Sequence, residues 1–153
     1  MAGFAAGATV RALHDDQFKS LPKACGVYVV LRNPADEPRF LTNSGAGWFK
    51  GHDPSYPAHI VRSAWRAGAS VVYIGKAGGV NGLRRRVREL ITFGLGKPVG
   101  HRGGRMLWHL ADHESLHVRW MECPCDKADA MESELIERFR VVHTTRPLAN
   151  RMK

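Results

Sequence analysis

The stretch from Val71 to Leu90, VVYIGKAGGVNGLRRRVREL, constrains this chain more than any other, because its hydrophobic period changes abruptly from strand to helix. Val71, Val72, Tyr73 and Ile74 form a β-branched and aromatic run that stops at Gly75 and the pair Gly78 and Gly79, which is the composition of a buried strand. Beyond Asn81, placed as a helix cap, Leu83, Val87, Leu90 and Ile91 recur at helical spacing and leave Arg84, Arg85 and Arg88 to water. At about 100° per residue, Arg86 lies roughly 60° from Leu83, on the shoulder of the apolar stripe. There it is aimed along the sheet, beside a strand-end tyrosine and the exposed Lys76. A guanidinium in that position offers a phosphate a planar fork of donors. Taken alone, the run reads first as an ordinary basic surface helix, since charge runs are usually solvated faces.

A strand followed by a helix needs partner strands, and two more are legible. Cys25 to Leu31, CGVYVVL, is strongly β-prone and ends in the turn Arg32-Asn33-Pro34. Tyr28 sits in its middle, and Gly26 permits close approach of backbone or ligand. His117 to Met121 alternates Val118 and Trp120 against Arg119 and Met121, a third strand. Residues 33–70 form a long insertion between the first two strands, turn-rich in front and helical from Pro57 to Ala67. Its Trp48, Phe49, Lys50 and His52 have the makings of a base-stacking surface, but aromatics more often pin a loop to the core, and that is the expectation here. Met1 to Val10 reads as a frayed or edge segment, and Arg11 to Lys23 as a short helix or loop.

Size and charge narrow the function classes. A chain of 153 residues is one domain by length, with a formal charge of +9 that favours a polyanionic partner, nucleic acid being the commonest. Between Asn81 and Arg105 there are seven Lys or Arg and one acid, whereas Asp112 to Glu137 holds eight acids and two basic residues. A basic half of this kind can track a phosphate backbone through Arg84, Arg85, Lys97, Arg102 and Arg105, while an acidic half holds a metal. Gly94 to Gly104 has five glycines around Lys97, His101 and Arg102, a loop that leads into a short helix from Arg105 to Leu110. Such a loop either presents backbone N–H groups to a phosphate or simply connects. No run is long enough to cross a membrane, and three cysteines without a leader pattern argue for a reducing cytoplasm. Cys123-Pro-Cys125 has the wrong spacing for a zinc knuckle and reads as a turn, and His109, His113 and His117 are not spaced as zinc ligands in one helix.

The last helix carries the sharpest signal. With Asp126 as cap and Asp129 at the positive end, Glu132 falls on the same stripe as Ala128, Leu135, Ile136 and Phe139, while Glu134 and Glu137 point away. A carboxylate on a buried stripe is costly unless a cation meets it, so either an arginine, Arg86 being one candidate, or a divalent ion should face Glu132.

Gly26-Val27-Tyr28 in one strand, Tyr73-Ile74-Gly75-Lys76 ending another, an arginine on the following helix, a Glu-x-x-Leu-Ile helix and a closing Pro147-Leu148-Ala149-Asn150 together resemble the GIY-YIG nuclease superfamily. The resemblance spans about a third of the chain. It implies an α+β fold, a small three-stranded antiparallel sheet flanked by helices, here with the 33–70 insertion, and a single nuclease domain over residues 1–153. It further implies an endonuclease that hydrolyses DNA, or RNA, with one divalent metal, Mg²⁺ or Mn²⁺, leaving a 5′-phosphate, and acting as a monomer or homodimer. Carried over, Glu132 holds the metal, Tyr28 positions or deprotonates the attacking water, Tyr73 orders water and phosphate, and Arg86 offsets transition-state charge. Lys76 stands behind Arg86, and Asn150 holds the C-terminal segment. A tyrosine is a poor base at its ordinary pKa of ~10, so the expectation is that Lys76, Arg86 or the metal acidifies it. The chain departs from the pattern at Leu90, where relatives in that superfamily often carry His or Tyr; His101 or a water is the substitute expected. A silent nucleic-acid-binding module on the same scaffold is the alternative, and a small-molecule phosphodiesterase fits the site but not the charge.

Overall fold

The computed structural model describes residues 3–99 and 103–151. It is an α+β arrangement around an antiparallel sheet of four strands, β1 (Ala8–Thr9), β2 (Gly26–Leu31), β3 (Val71–Ala77) and β4 (His117–Glu122), in the order β1-β4-β2-β3. The helices are α1 (Val10–Asp15), α2 (Ala58–Ala64), α3 (Gly82–Gly94) and α4 (Ala128–His143), with 3-10 turns at Arg105–His109, His113–Ser115 and Cys125–Lys127. The sheet is therefore not the three-stranded one expected. The extra strand is the two-residue β1, which pairs Ala8 with Val118 and Thr9 with His117. Two residues carry no period-2 signal, so the sequence shows this segment only as an edge.

Central β2 pairs with β3 and β4, and directly paired residues share a face. Tyr28 thus lies between Gly75 and Trp120, and Val30 between Tyr73 and Val118, on one face. Val27, Val29, Ile74 and Lys76 point to the other. Both faces are covered, which is why β2 reads as a continuous apolar run rather than an alternating one. On the tyrosine face α3 buries Leu83, Val87, Leu90 and Ile91, and a side chain at Gly26 would press into Leu83 and the Met121 carbonyl. On the opposite face α4 lies against β3 and β2, buries Ala128 and Phe139, and pairs Asp129 with Lys76.

The start of α3 differs from its sequence reading. Asn81 has φ of 63° and makes no side-chain cap; instead the Leu83 N–H donates to the Ala24 carbonyl at 2.9 Å and the Arg84 N–H to Pro22 at 3.0 Å. The first turn is saturated by the segment before β2, leaving no open helix terminus there. Arg84 and Arg85 are not left to water either. The Arg84 guanidinium donates to the carbonyls of Leu21 and Lys19, and that of Arg85 to Val80 and Gly78 and to Glu89, so both tie down turns; Arg88 is exposed. At α4 the cap position belongs to Lys127, and Asp126 lies in the preceding 3-10 turn with no capping bond.

Helix α2 is shorter than expected, with Pro57 at its cap and Trp65 already extended. Trp65 leaves the helix to pack edge-on against Phe40 and under the Arg32 guanidinium. Arg32, 7 % exposed, donates to Asp112 and to the carbonyls of Asn33, Asp36 and Glu37, and so organises the front of the insertion. Buried His109 pins the back, its Nδ1 on the Leu41 carbonyl at 2.9 Å and its Nε2 accepting from the Tyr56 N–H at 3.0 Å. Trp48, expected to pin the loop, is 58 % exposed instead, because Arg32, Trp65 and His109 already do so.

The cysteines also differ from expectation. Cys25 and Cys125 form a disulfide with a Cα–Cα distance of 5.0 Å, which ties the entry of β2 to the turn that launches α4, and Cys123 alone is free. Residues a hundred positions apart in sequence give no local hint of such a pairing. No helix among the described residues is long and apolar enough to cross a membrane. Because the bridge closes a long loop, its reduction should lower stability by about 2–4 kcal/mol, measured by denaturant unfolding with and without reductant. Thiol alkylation of the native protein should label Cys123 only; labelling of all three cysteines before any reductant is added would show that the bridge does not form.

Candidate active site

The two phenols meet because of one missing side chain. A Cβ at Gly75 would collide with the Tyr28 ring and hydroxyl, so glycine lets Tyr28 lie across β3. Tyr28 is fully buried and Tyr73 is 6 % exposed, with ring centroids 6.0 Å apart and planes tilted by 60°. The hydroxyls approach one another without good hydrogen-bond geometry, and the buried Tyr28 Oη has no partner among the described residues. A buried hydroxyl left without a partner costs about 1–3 kcal/mol, so the approach of the Tyr73 hydroxyl matters to both rings.

Helices on opposite faces of the sheet bring charge to this pair. Arg86 on α3 is half-buried, with Nη1 only loosely paired to Glu89 Oε2 at 3.4 Å. Glu132 on α4 is half-buried, one turn beyond the Asp129 that pairs with Lys76. Both groups act on both phenols. Burial raises the pKa of Tyr28 well above the ordinary value, Tyr73 and Glu132 raise it further, and Arg86 opposes them without prevailing. Tyr73 is raised as well, again chiefly by burial, with the Tyr28 hydroxyl and Arg86 lowering and Glu132 raising it. The expected acidification is therefore not produced by the protein's own groups, because desolvation outweighs the guanidinium.

Lys76 does not stand behind Arg86. It points to the face opposite the phenols, where its pairing with Asp129 raises its pKa and Glu132 adds to the effect, so it anchors the start of α4. Asn150 does hold the C-terminal segment. Its Oδ1 accepts from the Ile74 N–H and its Nδ2 donates to the Ile74 carbonyl, both at 2.8 Å, while the Ala149 N–H donates to the Val72 carbonyl at 2.9 Å. The side-chain amide thus imitates a strand along the outer edge of β3.

Leu90 is a core residue, 1 % exposed, and supplies no polar group. Gly104 closes over it, since a Cβ there would come within 2.9 Å of Leu90 and 3.4 Å of Tyr73, so the glycine-rich loop ends beside the phenols. His101 and Arg102 lie outside the described residues. Arg105 is half-buried, stacked over Phe93 with its Nε without a partner among the described residues, at the start of a 3-10 turn rather than an α-helix. Lys97 is exposed, away from this cluster in a turn that backs onto Gly47. His109, His113 and His117 each bind a backbone carbonyl.

Among the described residues no group of three or more His, Cys, Asp or Glu could hold a metal. An ion at the phenols would therefore have Glu132 as its protein carboxylate, with the remaining ligands from water and a phosphate. That suits Mg²⁺, which keeps several waters and uses one or two carboxylates. The buried Tyr28 Oη, without a hydrogen-bond partner among the described residues and within electrostatic reach of Glu132, is compatible with such an arrangement.

Sequence reasoning missed Arg32, Asp129 as the partner of Lys76, and the cysteine bridge. Only Asp129 had a local signal, its place one turn before Glu132 on the same helix.

Raised phenol pKa values make a stability prediction. Tyr28 and Tyr73 stay protonated in the folded chain at a pH where the unfolded chain has lost those protons, so their contribution is complete below ~10 and declines as pH rises above it. Ultraviolet titration should show Tyr28 and Tyr73 ionising late, and Tyr28→Phe should reduce the alkaline loss of stability while leaving neutral stability unchanged or about 1 kcal/mol higher. Ordinary titration of both Tyr28 and Tyr73 would contradict the burial described here. Compared with protein-family models, with characterised proteins and with solved structures, the chain has no match.

Proposed function

We propose that the chain is a metal-dependent endonuclease of the GIY-YIG type that hydrolyses phosphodiester bonds in DNA. The observation that carries this reading is that Arg86 and Glu132, from helices on opposite faces of the sheet, both act on the Tyr28 and Tyr73 hydroxyls at the edge strand β3. Two phenols, a cation and a carboxylate are what a phosphodiester needs to be held, attacked and neutralised. The charge of +9 suits a polyanion.

In this reading water attacks phosphorus and gives its proton to solvent, the bond to the 3′-oxygen breaks and that oxygen takes a proton from solvent, and a 5′-phosphate and a 3′-hydroxyl remain. Arg86 exchanges its loose contact with Glu89 for the non-bridging oxygens and is worth most as charge develops on them. Glu132 would hold a divalent ion, which supplies Lewis-acid polarisation of the phosphoryl oxygen when bound. Burial raises the pKa of both phenols in the metal-free protein, and in this reading Tyr28 orients the water through its hydroxyl while Tyr73 donates to the phosphate. Lys76 and Asp129 set the angle of α4, and Asn150 fixes β3 from outside.

Leu90 favours a second reading, a silent nucleic-acid binder, because the core occupies the position where a polar group would assist the leaving oxygen. Plasmid incubated with Mg²⁺ separates the two. The wild type should nick it, chelation should abolish nicking, and Arg86→Ala and Glu132→Ala should slow it by about 10²–10³-fold. Tyr28→Phe should lose activity without losing stability. Retarded plasmid with no cleavage by wild type under any divalent ion, and identical behaviour of Glu132→Ala, would establish the binder instead.

A further inference from the structure

Beyond the edge of β3 lies a groove of about 500 Å³, walled by α2, the end of α4 and residues 144–151, with Met106 at its base. It adjoins the candidate site through Asn150, which clasps Ile74, and through Met106, two residues after the Gly104 that covers Tyr73. Three guanidinium-bearing residues line it, Arg140, Arg146 and Arg151, and none of the described lining residues is acidic. Their existing contacts are weak or leave the charge unpaired. Arg140 faces Glu137 at 3.6 Å, Arg146 reaches the Arg151 carbonyl at 3.5 Å, and Arg151 stacks on Tyr56 with its Cζ 4.6 Å from the ring centroid. The floor is apolar, formed by Ile60, Met106 and Leu148, and the hydroxyls of Ser63 and Thr145 lie among the lining residues.

We infer that this groove receives one unpaired nucleotide of the bound strand, next to the phosphate that is cut. The argument rests on the nuclease reading for its location and on the groove's own chemistry for its occupant. An apolar floor takes the flat face of a base, and an arginine rim takes the phosphate attached to it. Its volume lies in the range of small-ligand sites and holds one nucleotide, not a stack of base pairs. A strand lying in the groove would pass Asn150 at the border of β3, the strand that carries Tyr73, so the groove selects substrates with an unpaired or extruded nucleotide at that position.

Binding is measured by fluorescence anisotropy of labelled single-stranded oligothymidylate, and of a duplex of equal length, in metal-free buffer, so that cleavage plays no part. Arg146→Ala/Arg151→Ala should weaken single-strand binding about tenfold or more and lower the salt slope by about 0.7 per arginine removed. Ser63→Trp, which fills the groove from an exposed helix position without altering charge, should weaken single-strand binding by a similar factor and leave duplex binding unchanged. Arg62→Ala removes one guanidinium from α2 outside the groove, against the two removed by the double variant, and should cost about twofold or less, well under half of the double variant's loss in free energy. Equal losses from Arg62→Ala and the double variant, or unaltered single-strand binding by Ser63→Trp, would overturn the groove whether or not plasmid is nicked. Loss of binding in the groove variants of a protein that never nicks would uphold the groove and end the nuclease reading.

Discussion

Everything at the candidate site depends on Tyr28 crossing Gly75. The cross-strand pair sets a large ring against a residue with no side chain, and that asymmetry carries the phenol over the edge strand instead of stacking it within the sheet. Because the ring fills this gap, Leu83 and Val87 of α3 find a continuous apolar surface, and Arg86 between them reaches the margin. A methyl group at Gly75 would disturb the ring, the seat of α3 and the position of the guanidinium together.

The remainder of the fold steadies that arrangement from three directions. From the far face, Lys76 and Asp129 fix the first turns of α4 and hence Glu132. From the start of β2, the cysteine bridge joins the turn before the same helix to the entry of the strand that carries Tyr28. From outside, Asn150 and Ala149 bond to Ile74 and Val72. None of these contacts involves the phenols, and each removes one way in which the phenols and the charged groups could separate.

What the sequence disclosed follows from the range of the forces involved. Strands β2, β3 and β4 and helices α3 and α4 were legible because their patterns repeat within a few residues, and Glu132 and Arg86 could be placed on helix faces for the same reason. Asn150 was legible only through resemblance. The bridge between Cys25 and Cys125, the clamp around Arg32 and the carbonyls that engage Arg84 and Arg85 depend on residues brought together by the chain path, and no periodicity reports them. The direction of the tyrosine shifts was misjudged because charge can be read from a sequence, whereas desolvation requires knowing what covers the ring.

The amide of Asn150 has a further consequence for the chain in company. β3 borders the sheet, and an uncovered border of β-branched residues invites a strand from a neighbouring molecule. By offering Ile74 both a donor and an acceptor, one side chain occupies the bonding positions that an intruding strand would need first. The residue that braces the site therefore also guards the chain against sticking to its own copies.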